Sequence, residues 1–410
     1  MNRPSTHAMA DIYDPDIYIA GPPHATYEEL RRTNPVYWHE RPDGPGYWAV
    51  LKHADVRYVS RHPELFSCWE KGVTINTLAP EQLEMSRGML TNMDPPLHAK
   101  YREPMMSSFT PQKIARLEDR IREITKMIFA RALELIDEQG HVEFVHQVCS
   151  PLPTQVFGEL AGLPRESWDH MHDLAAQLTR SQDPDIVLSA EEKRSAGAEM
   201  LRYAIAFGIQ RRSEPPRDDL TTVLLDTEFA GRRMSELEFG THFSQFVVAG
   251  NETTVTLLSS GLQVLLEHPD QLAELRANPS LLPGAIDEIL RFANPLHYLA
   301  RTAKVDVELR GARIKAGDTV AMYYTSANRD EDVFREAHRF DIHRSPNPHV
   351  TFGFAGHFCM GAHLARLEAR VFFEELFATF PKIEAAGPVK RLRSNFNNAL
   401  KEFPVDLRRN

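Results

Sequence analysis

The stretch Phe352-Gly-Phe-Ala-Gly-His-Phe-Cys359-Met-Gly361, followed by Ala362-His-Leu-Ala-Arg366, decides how this chain of 410 residues folds. One cysteine stands among glycines, and apolar residues then recur at helical spacing until Phe380-Pro381 ends the pattern. The spacing predicts a helix that begins just after Cys359. A cysteine at a helix N-terminus meets the positive end of the helix dipole, which favours thiolate over thiol.

Two interpretations of Cys359 follow from these residues. It is either a buried cysteine in a strand-to-helix turn or the thiolate ligand of a haem iron, whose sulfur needs hydrogen bonds from its surroundings. Glycines let the backbone approach a flat group closely and direct N–H groups at the sulfur. The phenylalanine, the glycines and His357 at fixed offsets around the cysteine favour the ligand.

The stretch resembles the haem-binding loop of the cytochrome P450 family, Phe-Gly-x-Gly-x-His-x-Cys-x-Gly. It departs from that pattern at Ala355, where the family usually has its second glycine, and Gly356 follows one position later. The resemblance implies a mainly α fold with small β-sheets, a long central helix over the haem and a cysteine loop before a C-terminal helix. It implies haem b with Cys359 as axial iron ligand. Further haem contacts are implied for Phe352, His357 and Gly361.

Composition limits the alternatives. No linker, repeat or low-complexity tract divides the chain, so we expect one domain over residues 1–410. A net charge of −10 without a basic tract argues against a nucleic-acid partner. The first residues contain no apolar run, so no signal peptide or membrane anchor is expected. The three cysteines form no CxxC pair, which argues against zinc and disulfides and predicts a reducing cytoplasm.

A second anchor is the run from Met234 to Pro269. Ser235 and Glu238 form a capping box, and Pro269 supplies the stop. The pattern therefore predicts one helix of roughly 50 Å, at about 1.5 Å per residue. A helix of that length must run through the body of the fold.

The middle of this helix reads Ala249-Gly250-Asn251-Glu252-Thr253-Thr254, which lowers helix propensity, and a buried Glu252 needs a partner. Thr253 either bonds back to the carbonyl of Ala249 and merely bends the helix, or faces a groove for a diatomic ligand while Glu252 relays protons. The run is similar to the family's acid–alcohol pair. The resemblance implies catalytic roles for Glu252 and Thr253, with O2 bound beside Ala249 and Gly250.

Basic residues outside the cysteine loop form a second group of candidate site residues. Asp94 is predicted as a helix N-cap, and His98 and Arg102 are four apart on one face of that helix. By themselves they indicate a solvated pair at a helix start. The resemblance implies that His98 and Arg102 bind a haem propionate, and it extends this role to Arg301 and His357.

Glu288 and Arg291 are three apart on a predicted helix, and such a pair is commonly a surface ion pair of little energetic value. The family has a pair at this place, joined by a third residue before the cysteine. The resemblance assigns that third position to Arg339, and the triad is interpreted as structural.

The remaining predictions concern strands and the pocket. Residues 35–38, 46–51, 305–309 and 319–323 are predicted as strands, and residues 392–405 as a hairpin. The resemblance implies that the substrate pocket is lined by Ile75, Gln245, Val248, Leu296, His297, Leu299 and Phe396.

The implied activity is that of a bacterial-type haem-thiolate monooxygenase. It would hydroxylate an apolar small molecule, such as a terpenoid, steroid or other branched lipid, using O2 and two electrons from a ferredoxin and its reductase. A peroxygenase of the same fold is one alternative, although such enzymes typically lack the acid–alcohol pair. A haem-based sensor or carrier, which needs no proton relay, is the other.

Overall fold

Helices dominate the computed structural model, which describes residues 11–180, 183 and 190–408. Small sheets complete it, so the predicted fold class is confirmed. The α-helices are α1 His24–Thr33, α2 His53–Arg61, α3 Pro80–Ser86, α4 Leu97–Met106, α5 Pro111–Ala115, α6 Glu118–Gln139, α7 Pro151–Ala161, α8 Trp168–Arg180, α9 Ala190–Arg212, α10 Leu220–Asp226, α11 Glu236–Glu267, α12 Pro269–Ala277, α13 Leu282–Phe292, α14 Tyr324–Ala327 and α15 Ala362–Thr379.

The strands form small sheets, the largest ordered β1-β2-β10-β7-β3. Strands β2 and β10 run parallel, and the other neighbours in this sheet are antiparallel. The strands predicted at 35–38, 46–51 and 319–323 are confirmed. The strand predicted at 305–309 begins at Val307, and the C-terminal hairpin pairs Lys390–Arg391 with Leu400–Glu402, so its first strand precedes the predicted residues 392–405. The strands are β1 Val36–Arg41, β2 Gly44–Val50, β3 Phe66–Ser67, β4 Val142–Glu143, β5 Glu228–Phe229, β6 Arg232–Arg233, β7 Tyr298–Ala303, β8 Val307–Leu309, β9 Ala312–Ile314, β10 Thr319–Tyr323, β11 Lys382–Ala385, β12 Lys390–Arg391, β13 Leu400–Glu402 and β14 Pro404–Arg408.

Helix α11 begins as the capping box predicts. Ser235 Oγ accepts from the Glu238 N–H at 3.2 Å, and the Glu238 carboxylate accepts from the Ser235 N–H at 2.8 Å. The helix has 32 residues and buries side chains along most of its length. Ala249 and Gly250 are exposed in its middle, so the helix borders open space there.

The start of α4 differs from the prediction. The helix begins at Leu97, and Asp94 is not its N-cap. Pro95 and Pro96, which have no backbone N–H to be capped, lie between them. The Asp94 carboxylate instead accepts from Ser67 Oγ at 2.6 Å and from the Cys68 N–H at 2.7 Å.

In the described part of the chain, no helix is both long and apolar enough to cross a membrane.

Candidate active site

The cysteine loop is closed by its own backbone. The Cys359 N–H donates to the Phe352 carbonyl at 2.7 Å, and α15 begins three residues later, at Ala362. The Cys359 side chain has accessible surface, although protein surrounds the side chain. The accessible surface of Cys359 therefore faces the interior of the fold. This burial raises the pKa of the thiol, while a hydrogen bond from the Gly361 N–H and the charges of Arg102 and Arg366 act to lower it.

Ala355 occupies a left-handed backbone conformation, with φ of +58°. Gly353, two residues earlier, is also left-handed, with φ of +72°. Gly356 does not take over this conformation, and a Cβ placed there would meet no atom within 4 Å. The alanine therefore adopts a conformation that glycine adopts at lower cost.

Helix α11 and the cysteine loop meet in one apolar cluster, which contains Val247 and Met360 and against which Val248 and Leu364 pack. This packing positions the middle of α11 relative to the loop.

Thr253 and Glu252 have different surroundings. Thr253 Oγ1 donates to the Ala249 carbonyl at 2.8 Å, as the simpler interpretation predicted. Glu252 lines a cavity of about 230 Å³ whose other polar walls include His146, Ser150 and Lys401. The relay role of the pair stays a prediction.

The structure brings the four predicted propionate-binding residues together. The rings of His98 and His357 have centroids 4.0 Å apart. Arg102 donates to the Phe358 carbonyl at 2.6 Å, and Arg301 is buried. Burial, together with the charges of Arg301, His98 and Arg102, lowers the pKa of His357 to about 2. Burial and the two arginines lower the pKa of His98 to about 4.

These residues fit a haem. The His98 Nε2 atom is buried without a hydrogen-bond partner. No carboxylate among the described residues forms an ion pair with Arg102 or Arg301. A donor-rich group of this kind suits an acid with two carboxylates, and the enclosed sulfur of Cys359 suits iron.

Five predicted pocket residues are apolar, and two of them, Ile75 and Phe396, belong to one apolar cluster. Phe396 packs edge-on against Tyr298, with ring centroids 5.3 Å apart. The Ile75 N–H donates to the Tyr298 hydroxyl oxygen. Ile75 is buried, and the half-buried members of this set are Val248, Leu296, Leu299 and Phe396.

The side chains of the two polar pocket candidates are engaged by the protein. Gln245 accepts from the Leu90 N–H at 2.8 Å and donates to Thr91 at 3.1 Å, so it ties α11 to residues 90–92. His297 is fully buried, with its ring hydrogen-bonded to Thr325 at 3.1 Å. The pocket role of both stays a prediction.

The third member of the Glu288 cluster was predicted wrongly. Glu288 accepts from Arg291 at 2.7 and 2.8 Å and from Arg344 Nε at 3.1 Å to both oxygens. The side chain of Arg339 is exposed and faces Glu336 at 3.7 Å. Only the Arg339 carbonyl joins the cluster, because it accepts from Arg291 and Arg344.

Sequence reasoning also missed neighbours of the site. Cys68 Sγ lies 3.5 Å from His357 Nε2, across 289 positions of sequence. Arg366 lies over the Phe352 ring at 4.6 Å and pairs with Asp287 at 2.8 Å. Arg366 could have been found, because it stands two turns after the cysteine on the predicted helix.

Comparison with known proteins agrees with this geometry. Residues 76–390 match the family described as Cytochrome P450. The steroid C26-monooxygenase of Rhodococcus jostii is 38% identical over 99% of this chain and 86% of its own length. The methyl-branched lipid omega-hydroxylase of Mycobacterium tuberculosis is 37% identical over 92% of this chain and 90% of its own. A Mycobacterium marinum cytochrome P450 solved with pseudoionone has a TM-score of 0.90 at 34% identity, covering 99% of this chain and all of that one.

A mainly helical fold with an enclosed cysteine loop facing a long central helix defines a haem-thiolate oxygenase. The chain belongs to the cytochrome P450 family. It is a monooxygenase that uses O2 and a haem iron bound by a cysteine thiolate.

Proposed function

We propose that the protein hydroxylates a terminal carbon of a steroid or methyl-branched lipid, with Cys359 as the iron ligand. The enclosed sulfur of Cys359, in a loop that shares an apolar cluster with the middle of α11, carries this proposal. The haem supplies oxygen activation, and the chain supplies binding, orientation and proton delivery.

The cysteine loop and its basic neighbours hold the cofactor. The Gly361 N–H stabilises the thiolate by donating to the sulfur, a contact that tunes such ligands. His98, Arg102, Arg301 and His357 bind the two haem carboxylates. Binding an anion there compensates for the unpartnered His98 Nε2 and for two guanidinium groups without an ion-pair partner among the described residues.

Glu252 and Thr253 deliver protons. The Thr253 hydroxyl donates its hydrogen to the Ala249 carbonyl. Its oxygen can therefore accept a hydrogen bond from a group in the open space beside Gly250. Glu252 borders the polar cavity on its own side of α11. A carboxyl group with access to that cavity can take up protons and pass them to the face that Thr253 occupies.

The relatives support the substrate class. One is named for oxidation at C26 of a steroid and the other for oxidation at the omega position of a methyl-branched lipid. Both names place the reaction at the end of a branched carbon chain. The apolar candidates Ile75, Val248, Leu296, Leu299 and Phe396 suit such a chain, because they offer no charge to desolvate.

The electron donor is an acidic ferredoxin in our proposal, and the face around the cysteine loop supports it. Arg57 and Arg61 lie over the Phe354 ring at 4.3 and 4.6 Å. Phe358 is 41% exposed, and Lys100 is exposed. This basic face contrasts with the net charge of −10, so an acidic partner is steered to it. The three unpaired cysteines suit the cytoplasm, where such donors act.

The haem assignment is tested by the absorption spectrum of the reduced protein under carbon monoxide. We expect the red-shifted Soret band of thiolate-ligated haem. Cys359→Ser should abolish that band. Cys149→Ser, which replaces a buried cysteine outside the cysteine loop, should retain it. A histidine-type band in the unsubstituted protein would refute the ligand assignment.

The substrate class is tested on the same protein. Steroids with a branched side chain and methyl-branched fatty acids should shift the ferric haem to high spin, and product analysis should find the hydroxyl on a terminal carbon. Oxidation confined to ring carbons would contradict the proposal.

The donor face is tested by charge reversal. Arg61→Glu should slow reduction by ferredoxin, with a weaker dependence on salt than the unsubstituted protein shows. Arg131→Glu, an exposed substitution on α6, is the matched control. Reduction by dithionite should be unchanged in both variants. Equal rates of reduction by ferredoxin in the two variants would contradict the assignment of this face as the donor-binding surface.

A further inference from the structure

Seven of the chain's eleven tyrosines lie in one region, around the N-terminal segment and the largest sheet. We call this group the tyrosine cluster. Most of its members are buried, and none takes part in the function proposed above. The cluster consists of Tyr13, Tyr18, Tyr27, Tyr37, Tyr47, Tyr298 and Tyr323.

The cluster contains a continuous path of aromatic rings. From Tyr298 the next ring is Tyr323, at 5.4 Å between centroids. Tyr323 and Tyr47 share a hydroxyl–hydroxyl hydrogen bond of 2.8 Å. His39 stacks on Tyr47 at 5.3 Å with 12° between planes, and Tyr13 follows at 6.2 Å.

The inner end of the path lies close to the cofactor site. Tyr298 begins β7, and Arg301 stands three residues further along it, which is about 10 Å at about 3.3 Å per residue. The charge of Arg301 also reaches Tyr324, the residue after Tyr323. This inner end depends on the proposed function, because Arg301 is the residue we assign to a haem carboxylate.

The outer end reaches a surface pocket. Tyr13 is half-buried, and its hydroxyl donates to the Asp43 carboxylate at 2.7 Å. Beside it lies a cavity of about 330 Å³. The cavity is lined by Asp11, Tyr13, Asp14, Pro15, His39, Glu40 and Pro42.

We propose that this path carries single oxidising equivalents from the haem to Tyr13, where the surface pocket admits a small phenol or aromatic amine that is oxidised by one electron. An electron passes from Tyr13 across the His39 ring to Tyr47, and then through Tyr323 and Tyr298 to the oxidised haem centre, while the phenolic proton of Tyr13 passes to Asp43. The donor in the pocket then gives one electron and one proton to restore Tyr13, and Asp43 releases its proton to water. Two donors are consumed for each hydrogen peroxide reduced to water.

Proton transfer explains why oxidation settles at Tyr13. Burial raises the pKa values of Tyr47 and Tyr323 well above those of ordinary phenols, and their hydroxyls bond to each other rather than to a carboxylate. An oxidised phenol is a strong acid that is stabilised by losing its proton. His39 lies 3.3 Å from Asp11 but has no phenol, and among the tyrosines of the path it is Tyr13 that has a carboxylate within hydrogen-bond distance.

The charge of the pocket selects the donor. Asp11, Asp14 and Glu40 line it, and Asp43 stands beside it, against the single guanidinium of Arg41. A neutral or cationic donor is therefore favoured over an anionic one.

The test traps radicals instead of measuring hydroxylation. Ferric haem-loaded protein is mixed with hydrogen peroxide and a nitroso spin trap, without substrate, and the adducts are located by peptide mass spectrometry. We expect adducts on Tyr13 that disappear in Tyr13→Phe. They should fall severalfold in Tyr323→Phe and in Tyr47→Phe, which keep Tyr13 but remove an oxidisable ring from the path.

Tyr203→Phe, a half-buried tyrosine on α9 outside the cluster, is the matched control and should keep the adducts. All variants must show the thiolate Soret band under carbon monoxide, so loss of haem is recognised as failure of the haem assignment. Undiminished Tyr13 adducts in both Tyr323→Phe and Tyr47→Phe would overturn the path. So would the absence of any tyrosine adduct in protein with an intact spectrum.

The pocket is tested with two donors. N,N-dimethyl-p-phenylenediamine should be oxidised by the peroxide-treated protein faster than the anion ferrocyanide, and Tyr13→Phe should remove this preference. A preference that survives in Tyr13→Phe would place donor oxidation elsewhere.

Discussion

The hydroxyl of Thr253 donates to the carbonyl of Ala249, four residues earlier on α11, at 2.8 Å. Such a bond bends a helix slightly and fixes the side-chain rotamer. Here it also fixes which lone pairs of Thr253 face the open space beside Gly250. A structural role and a catalytic role are therefore compatible in one residue.

Thr253→Ala should uncouple the enzyme. We expect O2 consumption to persist, while hydroxylated product per electron pair falls on the order of tenfold. This is less than the roughly 10²–10⁴-fold contribution of a complete general acid, because Glu252 remains in the variant. Hydrogen peroxide should account for the difference. The measurement is the ratio of product and peroxide to reductant consumed.

Thr241→Ala is the matched control for that substitution. Thr241 makes the same bond to the Leu237 carbonyl at 2.8 Å, on the same helix but away from the open middle. If both variants uncouple equally, the effect comes from helix geometry and the relay role of Thr253 is wrong.

Ala355→Gly should stabilise the protein. A left-handed alanine costs roughly 1–2 kcal/mol, and the added freedom of glycine in the unfolded chain takes back about 0.4–1 kcal/mol. The net gain in the free energy of unfolding is therefore about 0.5–1 kcal/mol, measurable by urea unfolding of the haem-loaded protein.

The neighbouring glycines give the controls for Ala355→Gly. Gly353→Ala should destabilise by roughly 1–2 kcal/mol, because residue 353 is also left-handed. Gly356→Ala should be tolerated, because its Cβ meets open space. A loss of stability in Ala355→Gly would mean that the loop does not adopt this backbone in solution.

The sequence predictions that the structure confirms depend on residues that lie close together in the sequence. Ser235 and Glu238 cap α11 because both partners lie within one helical turn, and the helix after Cys359 follows from the apolar spacing of its own residues. Arg339 and Arg344 show the limit. Both are arginines in the same loop, and only the tertiary path of that loop decides which one reaches Glu288.

The same limit applies to partners distant in sequence. The amide of Gln245 forms hydrogen bonds with residues 90 and 91, which its local sequence does not predict, and its pocket role stays a prediction. Asp94 was predicted as a helix cap, yet it bonds Ser67 and Cys68. In both cases the residue type indicates a side chain that forms hydrogen bonds. Its partner lies far away in the sequence and could not be predicted from the neighbouring residues.

Arg344→Ala should destabilise the protein, and Arg339→Ala should not. Removing Arg344 leaves the buried Glu288 with one cation in place of two, and breaking a buried pair costs roughly 3–5 kcal/mol. The Arg339 side chain makes one loose surface pair, so its loss should change stability by less than about 0.5 kcal/mol. Its carbonyl contacts persist in the alanine variant.

Urea unfolding of these two variants side by side is the measurement. Similar losses of stability in both would contradict the cluster as we describe it. A large loss of stability confined to Arg339→Ala would instead support Arg339 as the third member of the cluster, as the sequence predicted.

Glu368 on α15 is a buried carboxyl group, and one of its oxygens has no hydrogen-bond partner. Burial raises its pKa from 4.5 to about 8. Between these values the unfolded chain is ionised while the folded protein holds the proton. The unfolded state therefore binds fewer protons, and the stability of the protein falls as pH rises through this window.

Glu368→Gln keeps the shape of the side chain and removes the ionisation. The variant should match the unsubstituted protein near pH 4, below the unfolded-state pKa, and exceed it by a growing margin up to about pH 8, by at most about 1.4 kcal/mol per pH unit. Urea unfolding at several pH values measures this. Glu375→Gln on the same helix is the control, because Glu375 pairs with Arg122 at 2.6 Å and its loss should destabilise the protein. Parallel pH profiles for Glu368→Gln and the unsubstituted protein would show that Glu368 is ionised in the folded state and has a partner there.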